Sequence, residues 1–425
     1  MVLLLLLAGH QHHGWAITTT AIVEFALVPT PTIAVPDLRA AVAGLFPDAD
    51  DRSLRAAAAD RAASMPMPTP EQEVWRYSRI DELDVAGLEP GLVATTVSGL
   101  DGVTVDRSAA EAAAAAMTVH DLFDELNAAL HSTVHVTVPA GRVLREPIIV
   151  THRIPAGRLL AFPRLVIHGG ADSEFTVVER FESDPSSTAV VVPRLVVHAS
   201  QAARVSYVGI NLVGSSVWML GHQQATGERD SSTLLATVAL GGDYARVRTD
   251  ARVVGQGAST RQVALYYADG SQMHDFRTLQ DHVAPRTNSD LLFKGAVQDH
   301  AKSVYTGLIR IREEAKGSVA FQTNRSLTLS AGAWAESVPN LDIRTNDVKC
   351  SHASTVGPID DDQRFYLESR GIRPDIAERL VVLGFFDDVL GVLPVGDLRS
   401  ELRARVATKL ANGRDISGTA TGGSR

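Results

Sequence analysis

The chain has 425 residues, 45% hydrophobic and 21% charged, with a net charge of −9. That balance fits a globular protein with a large core, and the acidic excess argues against a nucleic-acid or anionic-membrane binder, which would carry a basic footprint. One cysteine, Cys350, excludes an internal disulfide framework and fits a reducing, cytoplasmic setting.

The opening "MVLLLLLAGHQHHG" contains an apolar run as long as a signal-peptide core. No Lys or Arg precedes it, no small-x-small cleavage site follows, and it is far shorter than the ~20 residues a spanning helix needs. Residues 1–34 read as a poorly ordered extension, and His10, His12 and His13 as terminal imidazoles rather than metal ligands.

Residues 35–131 read as a mostly helical region. "PDLRAAVAGLF" and "DDRSLRAAAADRAAS" are rich in good helix formers. The Pro-rich stretch Ser64–Ser78 breaks them. In "TVHDLFDELNAALH", Thr118 stands three residues before Asp121 in a capping-box spacing, and Leu122, Leu126 and Leu130 share one helical face.

From Ser132 to Gly357 the chain alternates Val, Thr and Ile with polar residues, punctuated by Gly, Ser, Asp and Asn, as short strands require. "PRLVIHGGADSEFTVVE" begins at Pro163 and "PRLVVHASQAARVSYVG" at Pro193, so Phe175 and Val205 keep the same offset. Units of fixed period that each bury a face against the next make a solenoid. The reading is a mainly β protein: a two-sheet parallel β-helix core over residues 132–357, with N-terminal and C-terminal helical regions covering it, and a sandwich or barrel as second choice. His168 and His198 fall at equivalent repeat positions before turns and read as structural. His274, His282 and His300 are scattered.

Residues 358–412 turn helical again. Asp360 suits an N-cap with Gln363 at the reciprocal position, Gly371 a C-terminal cap, and Pro374 the first turn of a second helix with Ile376, Leu380 and Leu383 near one face. "VGDLRSELRARVATKL" makes a third helix. Residues 413–425 read as a flexible tail.

The chain has no G-x-x-x-x-G-K-[ST] phosphate loop, no G-x-S-x-G elbow and no H-E-x-x-H pair. The run Asp360–Asp362 falls where a helix starts, so capping explains it better than a cation site. In "DVKCSHA" a strand would project Cys350 and His352 to one face and Lys349 and Ser351 to the other. Three readings stay open: a buried cysteine beside a hydrogen-bonded histidine, part of an iron or zinc site, or a nucleophile–base pair. Two ligands do not complete a tetrahedral site, so further ligands would come from elsewhere in the chain or from a second protein.

Several segments, in order, carry a resemblance: "PEQEVWRYSRIDEL", "GGDYARVRTDARVVGQGA", "HDFRTLQDHVAPRTNSDLLFKGAVQDHAKSVYTGLIRI", "QTNRSLTLS" and "DVKCSHASTVGPIDDDQRFYLESRGI". They resemble the SufB/SufD family of iron–sulfur cluster assembly proteins, and "VKCSHASTVG" with "FYLESRGI" is closest to its SufD branch. The resemblance implies a right-handed parallel β-helix flanked by helices, and a non-catalytic subunit. It implies pairing with a SufB-like chain and docking of the SufC ATPase, which would supply the ATP hydrolysis. Cys350 and His352 would hold iron or a nascent iron–sulfur cluster transiently at the SufB-side interface, His352 more strongly. Glu368, Ser369, Arg370, Gly371 and Ile372 would belong to the ATPase-docking region. In isolation the chain would bind no cofactor tightly and could self-pair as a homodimer. Residues 1–34 have no counterpart in the family, and Trp334 is unusual. A β-helix enzyme acting on polysaccharide is the alternative; it lacks an evident carboxylate pair, and aromatics make up only 5%.

Overall fold

The structure is a computed structural model that describes residues 37–99, 104–106 and 119–412. The chain divides into Met1–Pro31 and Thr32–Arg425, and all described residues belong to the second unit. The extension 1–34 with its three histidines, Thr118 and the tail 413–425 lie outside the described residues.

Two sheets form a parallel β-solenoid. From its start, sheet one runs Thr104–Asp106, Ser132–Val138, Pro163–Gly169, Arg194–Ala199, Val217–Gly227, Tyr244–Val253, Met273–His282, Lys302–Ile311 and Trp334–Ile343. Sheet two runs Ala94–Ser98, Ile148–Ile154, Glu174–Ser183, Arg204–Leu212, Ser232–Ala239, Ser259–Ala268, Asn288–Val297, Ser318–Thr328 and Val348–Gly357. The first pairing in each sheet is antiparallel and those after it along these paths are parallel. The repeat seen in the sequence is one coil: Arg164 pairs with Arg194, His168 with His198 and Phe175 with Val205.

Successive coils share a turn whose third residue is left-handed: Asp172, Ala202, Asp230, Gly257, Arg286 and Gly317 all have φ between 55° and 77°. Each donates its N–H to a carbonyl in the turn of the following coil, as from Ala202 to Arg229 O at 2.8 Å and from Gly317 to Asp347 O at 2.7 Å. At Gly257 an added Cβ would meet Asp230 Oδ1 at 2.2 Å, so a side chain there would displace that carboxylate, and glycine takes the left-handed φ without strain.

A parallel sheet needs both faces covered. The inward faces pack on each other. The outer face of sheet one is covered by helices α1 (Leu38–Leu45), α2 (Arg52–Ser64) and α3 (Leu122–Leu130), with Trp75, Leu126 and Leu130 against Phe162, Val192, Leu220 and Tyr244. The Pro-rich stretch after α2 forms 3₁₀ turns at Glu73–Trp75 and Ile80–Glu82. Three short strands, Glu89–Gly91, Ala94–Ser98 and Thr104–Asp106, interrupt the segment that reads as mostly helical. Asp121 itself caps α3, accepting from the Phe123 and Asp124 N–H groups, so it stands at the N-cap and not at the third position of a box begun by Thr118. Leu122, Leu126 and Leu130 are all buried, as their spacing predicts.

The outer face of sheet two is covered by α5 (Pro374–Val392) and α6 (Gly396–Asn412), which follow a short α4 (Asp361–Ser369). Pro374 opens α5, as expected. The helix then continues through Gly384, because Val382 before it and Phe386, Val389 and Leu390 beyond it seat on the sheet. Its buried stripe is therefore set by those residues and Ala377. Leu380, expected among the apolar contacts, is 45% exposed. Ion pairs fasten this layer: Arg180 to Glu401 at 2.7 Å, Lys294 to Asp388 at 2.5 Å and Lys409 to Asp269 at 2.7 Å. Among the described residues no helix is long and apolar enough to cross a membrane.

Candidate functional site

The last coil is built from Trp334–Ile343 and Val348–Gly357, each paired along one edge only. In the preceding strand of sheet two, Ser318, Ala320, Gln322, Asn324 and Ser326 are buried and alternate with more exposed residues, so they point inward. Register places Cys350 on Ala320, His352 on Gln322 and Ser354 on Asn324. Cys350 and His352 thus share one face, as expected, and that face is the inward one. With no further coil above them, Cys350 is half-buried and His352 exposed.

Their surroundings differ. Cys350 packs against Ile309, Ile311, Ala315 and Ala320. This burial raises its thiol pKa above the ordinary value. A thiol shifted upward holds less thiolate at neutral pH and is a poorer nucleophile, which weakens the nucleophile–base reading. As a ligand it would need a bound cation to displace the proton.

The solenoid interior changes character along its length. Early coils are filled by Val136, Ile167, Val197, Val205 and Leu235. Later coils place Gln262, Gln280, Ser303, Gln322 and Asn324 inside, and Gln262, Gln280 and Asn324 each keep a buried side-chain atom without a protein partner. Buried polar groups of this kind call for partners such as water or ions. The polar section leads to the coil that carries His352. Around that coil Phe321, Trp334, Leu341, Ile343 and Val356 are exposed, an apolar rim along two unpaired strand edges.

The second candidate region follows directly. The Asp360 carboxylate accepts from the Asp362 and Gln363 N–H groups and starts α4 as expected. Residues Glu368–Ile372 end it in a Schellman turn: Gly371 has φ 84°, its N–H reaches Glu368 O at 2.9 Å, and the Ile372 N–H reaches Leu367 O at 3.3 Å. Arg370 lies over the Tyr366 ring at 5.1 Å, and Ser369 Oγ donates to Tyr366 O at 2.8 Å. Much of "ESRGI" is therefore explained by the turn itself. The side chains most available to a partner are ones the sequence reading passed over. Phe365 is 69% and Tyr366 58% exposed, beside Leu380, on a helix with no buried residue. The signal was an aromatic pair on an otherwise polar helix.

A model of the family described as "SUF system FeS cluster assembly, SufBD core domain" matches residues 152–385, more than half of the chain. The chain belongs to the SufBD family. The SufBD core match contains Cys350, His352 and Glu368–Ile372 and ends inside α5. An iron–sulfur cluster assembly SufBD family protein of Mycobacterium tuberculosis is 39% identical over 218 residues, 49% of this chain and 55% of that protein. The chain thus aligns with about half the length of such mycobacterial SufBD proteins. The iron–sulfur cluster assembly protein SufD of Escherichia coli is 26% identical over 381 residues, 82% of this chain and 90% of that protein. SufD of Bacillus subtilis is 35% identical over 141 residues, 33% of this chain and 32% of that protein.

Proposed function

We propose that this SufBD family chain is a SufD-like, non-catalytic subunit of a cytoplasmic SUF assembly complex, in which nascent iron–sulfur clusters are the cargo. The observation that carries the reading is the open last coil. It presents Cys350 and His352 on inward columns that no further coil among the described residues continues. Two long unpaired edges with an apolar rim suit strand-to-strand pairing with a second solenoid. A SufB-like chain seated there would cover the rim and bring the ligands that Cys350 and His352 lack. His352, exposed and adaptable, is the stronger ligand; Cys350 is the weaker one because burial pushes its thiol pKa up.

The C-terminal helices provide the second contact. Sheet two anchors α5 and α6, leaving Phe365, Tyr366 and Leu380 outward for a SufC-type ATPase, with Glu368–Ile372 fixing the direction of the chain between α4 and α5. The test is co-expression with a SufB-like chain and a SufC-type ATPase. A complex that co-elutes and assembles clusters in an ATP-dependent way supports the reading; a chain that always elutes alone in their presence overturns it.

A further inference from the structure

A groove of about 540 Å³ opens on the outer face of sheet one, lined among others by His135, His168, His198, Arg252 and Asp281. The His168 and His198 rings stack 5.1 Å apart, one coil above the other. At one wall of this groove His120 and Asp250 converge with His222, which lies buried behind the wall. His120 precedes α3, while His222 and Asp250 lie on neighbouring strands of sheet one. His120 Nε2 is 3.5 Å from Asp250 Oδ2, and His222 Nε2 is 3.3 Å from the same oxygen. An ion bound tetrahedrally by imidazole nitrogen and carboxylate oxygen at about 2.0–2.1 Å holds its ligand atoms about 3.3–3.4 Å apart. These two contacts, hydrogen-bond or ion-pair distances as they stand, already lie within about 0.2 Å of that length.

The second nitrogen of His222 decides which lone pair faces the centre. His222 Nδ1 lies 3.1 Å from Asp124 Oδ1. Asp124 is buried on α3, where Arg194 Nε at 2.5 Å and the His120 N–H at 2.8 Å also reach it. A carboxylate so held accepts from Nδ1–H and leaves Nε2 to coordinate, the carboxylate–histidine–metal arrangement. The same Asp124 orients both His222, through its ring, and His120, through its backbone. Arg248 contacts both Asp250 oxygens, at 3.0 Å to Oδ1 and 2.9 Å to Oδ2. An ion would take Oδ2 and leave Oδ1 to the guanidinium. Gln224 Nε2, 3.4 Å from His222 Nε2, would have to turn aside.

We propose that His120, His222 and Asp250 form a binding site for a divalent transition-metal ion, with an open coordination position facing the histidine-lined groove. The donor set, two imidazoles and a carboxylate, selects zinc(II), cobalt(II) or ferrous iron over magnesium or calcium. The site uses sheet one and α3, shares no residue with the last coil, and does not depend on the SUF reading.

Cobalt(II) is the probe, because its visible absorption reports nitrogen and oxygen donors directly. The full chain, with His10, His12 and His13 replaced by alanine to remove competing terminal imidazoles, is stripped with chelator and titrated. One equivalent should bind and give a ligand-field spectrum that zinc(II) displaces. His120→Ala, whose side chain is 30% exposed, should weaken binding by about tenfold or more with an unchanged circular-dichroism melt. Asp250→Asn, which keeps one oxygen for Arg248, should do the same. Cys350→Ser with His352→Ala should leave this binding intact. Failure of the chain to bind cobalt(II), equal binding by the folded His120→Ala variant, or loss only in the Cys350/His352 variant would overturn the assignment.

Discussion

Gln322 stands in register with His352 across the last two coils of sheet two. A fully enclosed amide thus precedes a solvent-facing imidazole on the same inward column. Loss of that imidazole should be felt in the reconstituted complex. His352→Ala is expected to lower cluster yield by about tenfold or more, as loss of a ligand does, while Cys350→Ser retains more. Absorbance of the assembled cluster measures both. Cluster yield unchanged in His352→Ala would remove the residue from the site.

Phe365 and Tyr366 should act as anchors for the ATPase. Aromatic side chains buried at the centre of an interface often contribute about 2 kcal/mol or more each. Replacing either with serine should therefore weaken ATPase binding by about thirtyfold, and replacing both by up to several hundredfold, in calorimetry. The thermal midpoint should barely move, because α4 buries none of its residues.

Asp275 is wholly buried and accepts hydrogen bonds from Tyr244 Oη at 2.9 Å, Arg277 Nε at 3.2 Å and Arg246. Arg246 also lies over the Trp75 ring at 4.1 Å and donates to Val74 O, and so links sheet one to the N-terminal segment. Asp275→Ala would strand two guanidinium groups and should cost about 3–5 kcal/mol. Urea denaturation checks the value. A loss below about 1 kcal/mol would mean that water reaches the site.

Acid should destabilise the solenoid through its buried histidines. Burial lowers the pKa of His274 to about 3, assisted by Lys409, and that of His282 to about 4. Both lie below the ordinary value near 6.5, so the unfolded chain takes up these protons first. Their contribution is present above pH 6.5 and is lost as the pH falls toward 4, by about 1.4 kcal/mol per pH unit per residue. His282 bonds Thr287 Oγ1 and Ser289 Oγ, both at 2.8 Å. His282→Gln should flatten the pH dependence of the urea midpoint between pH 7 and 5 by nearly one proton; an unchanged slope would show that His282 takes up its proton in the fold as readily as in the unfolded chain.

The coil was legible because Pro163 and Pro193 stand one full turn apart, and because a period of two aligns Cys350 with His352 whatever the tertiary context. Asp360, Gly371 and Pro374 announced helix ends through local backbone chemistry. Other features depend on contacts that no local pattern records. Asp172, Ala202 and Arg286 hold left-handed turns without glycine, because the bond each makes to the following coil offsets the strain. Leu380 belongs to an apolar stretch whose buried stripe is chosen by sheet two. His120, His222 and Asp250 come from three segments that meet only when α3 lies down on sheet one. The Gln262, Gln280 and Gln322 side chains point inward from strands whose alternation resembles that of any half-buried sheet.

The antiparallel strands Thr104–Asp106 and Ala94–Ser98 close the beginning of the solenoid with edges of three and five residues. The far end carries two open edges of ten residues each. Stacking therefore has a valence of one. Among the described residues only this end offers long open edges, so a partner seated there would also terminate growth and give pairs in place of filaments.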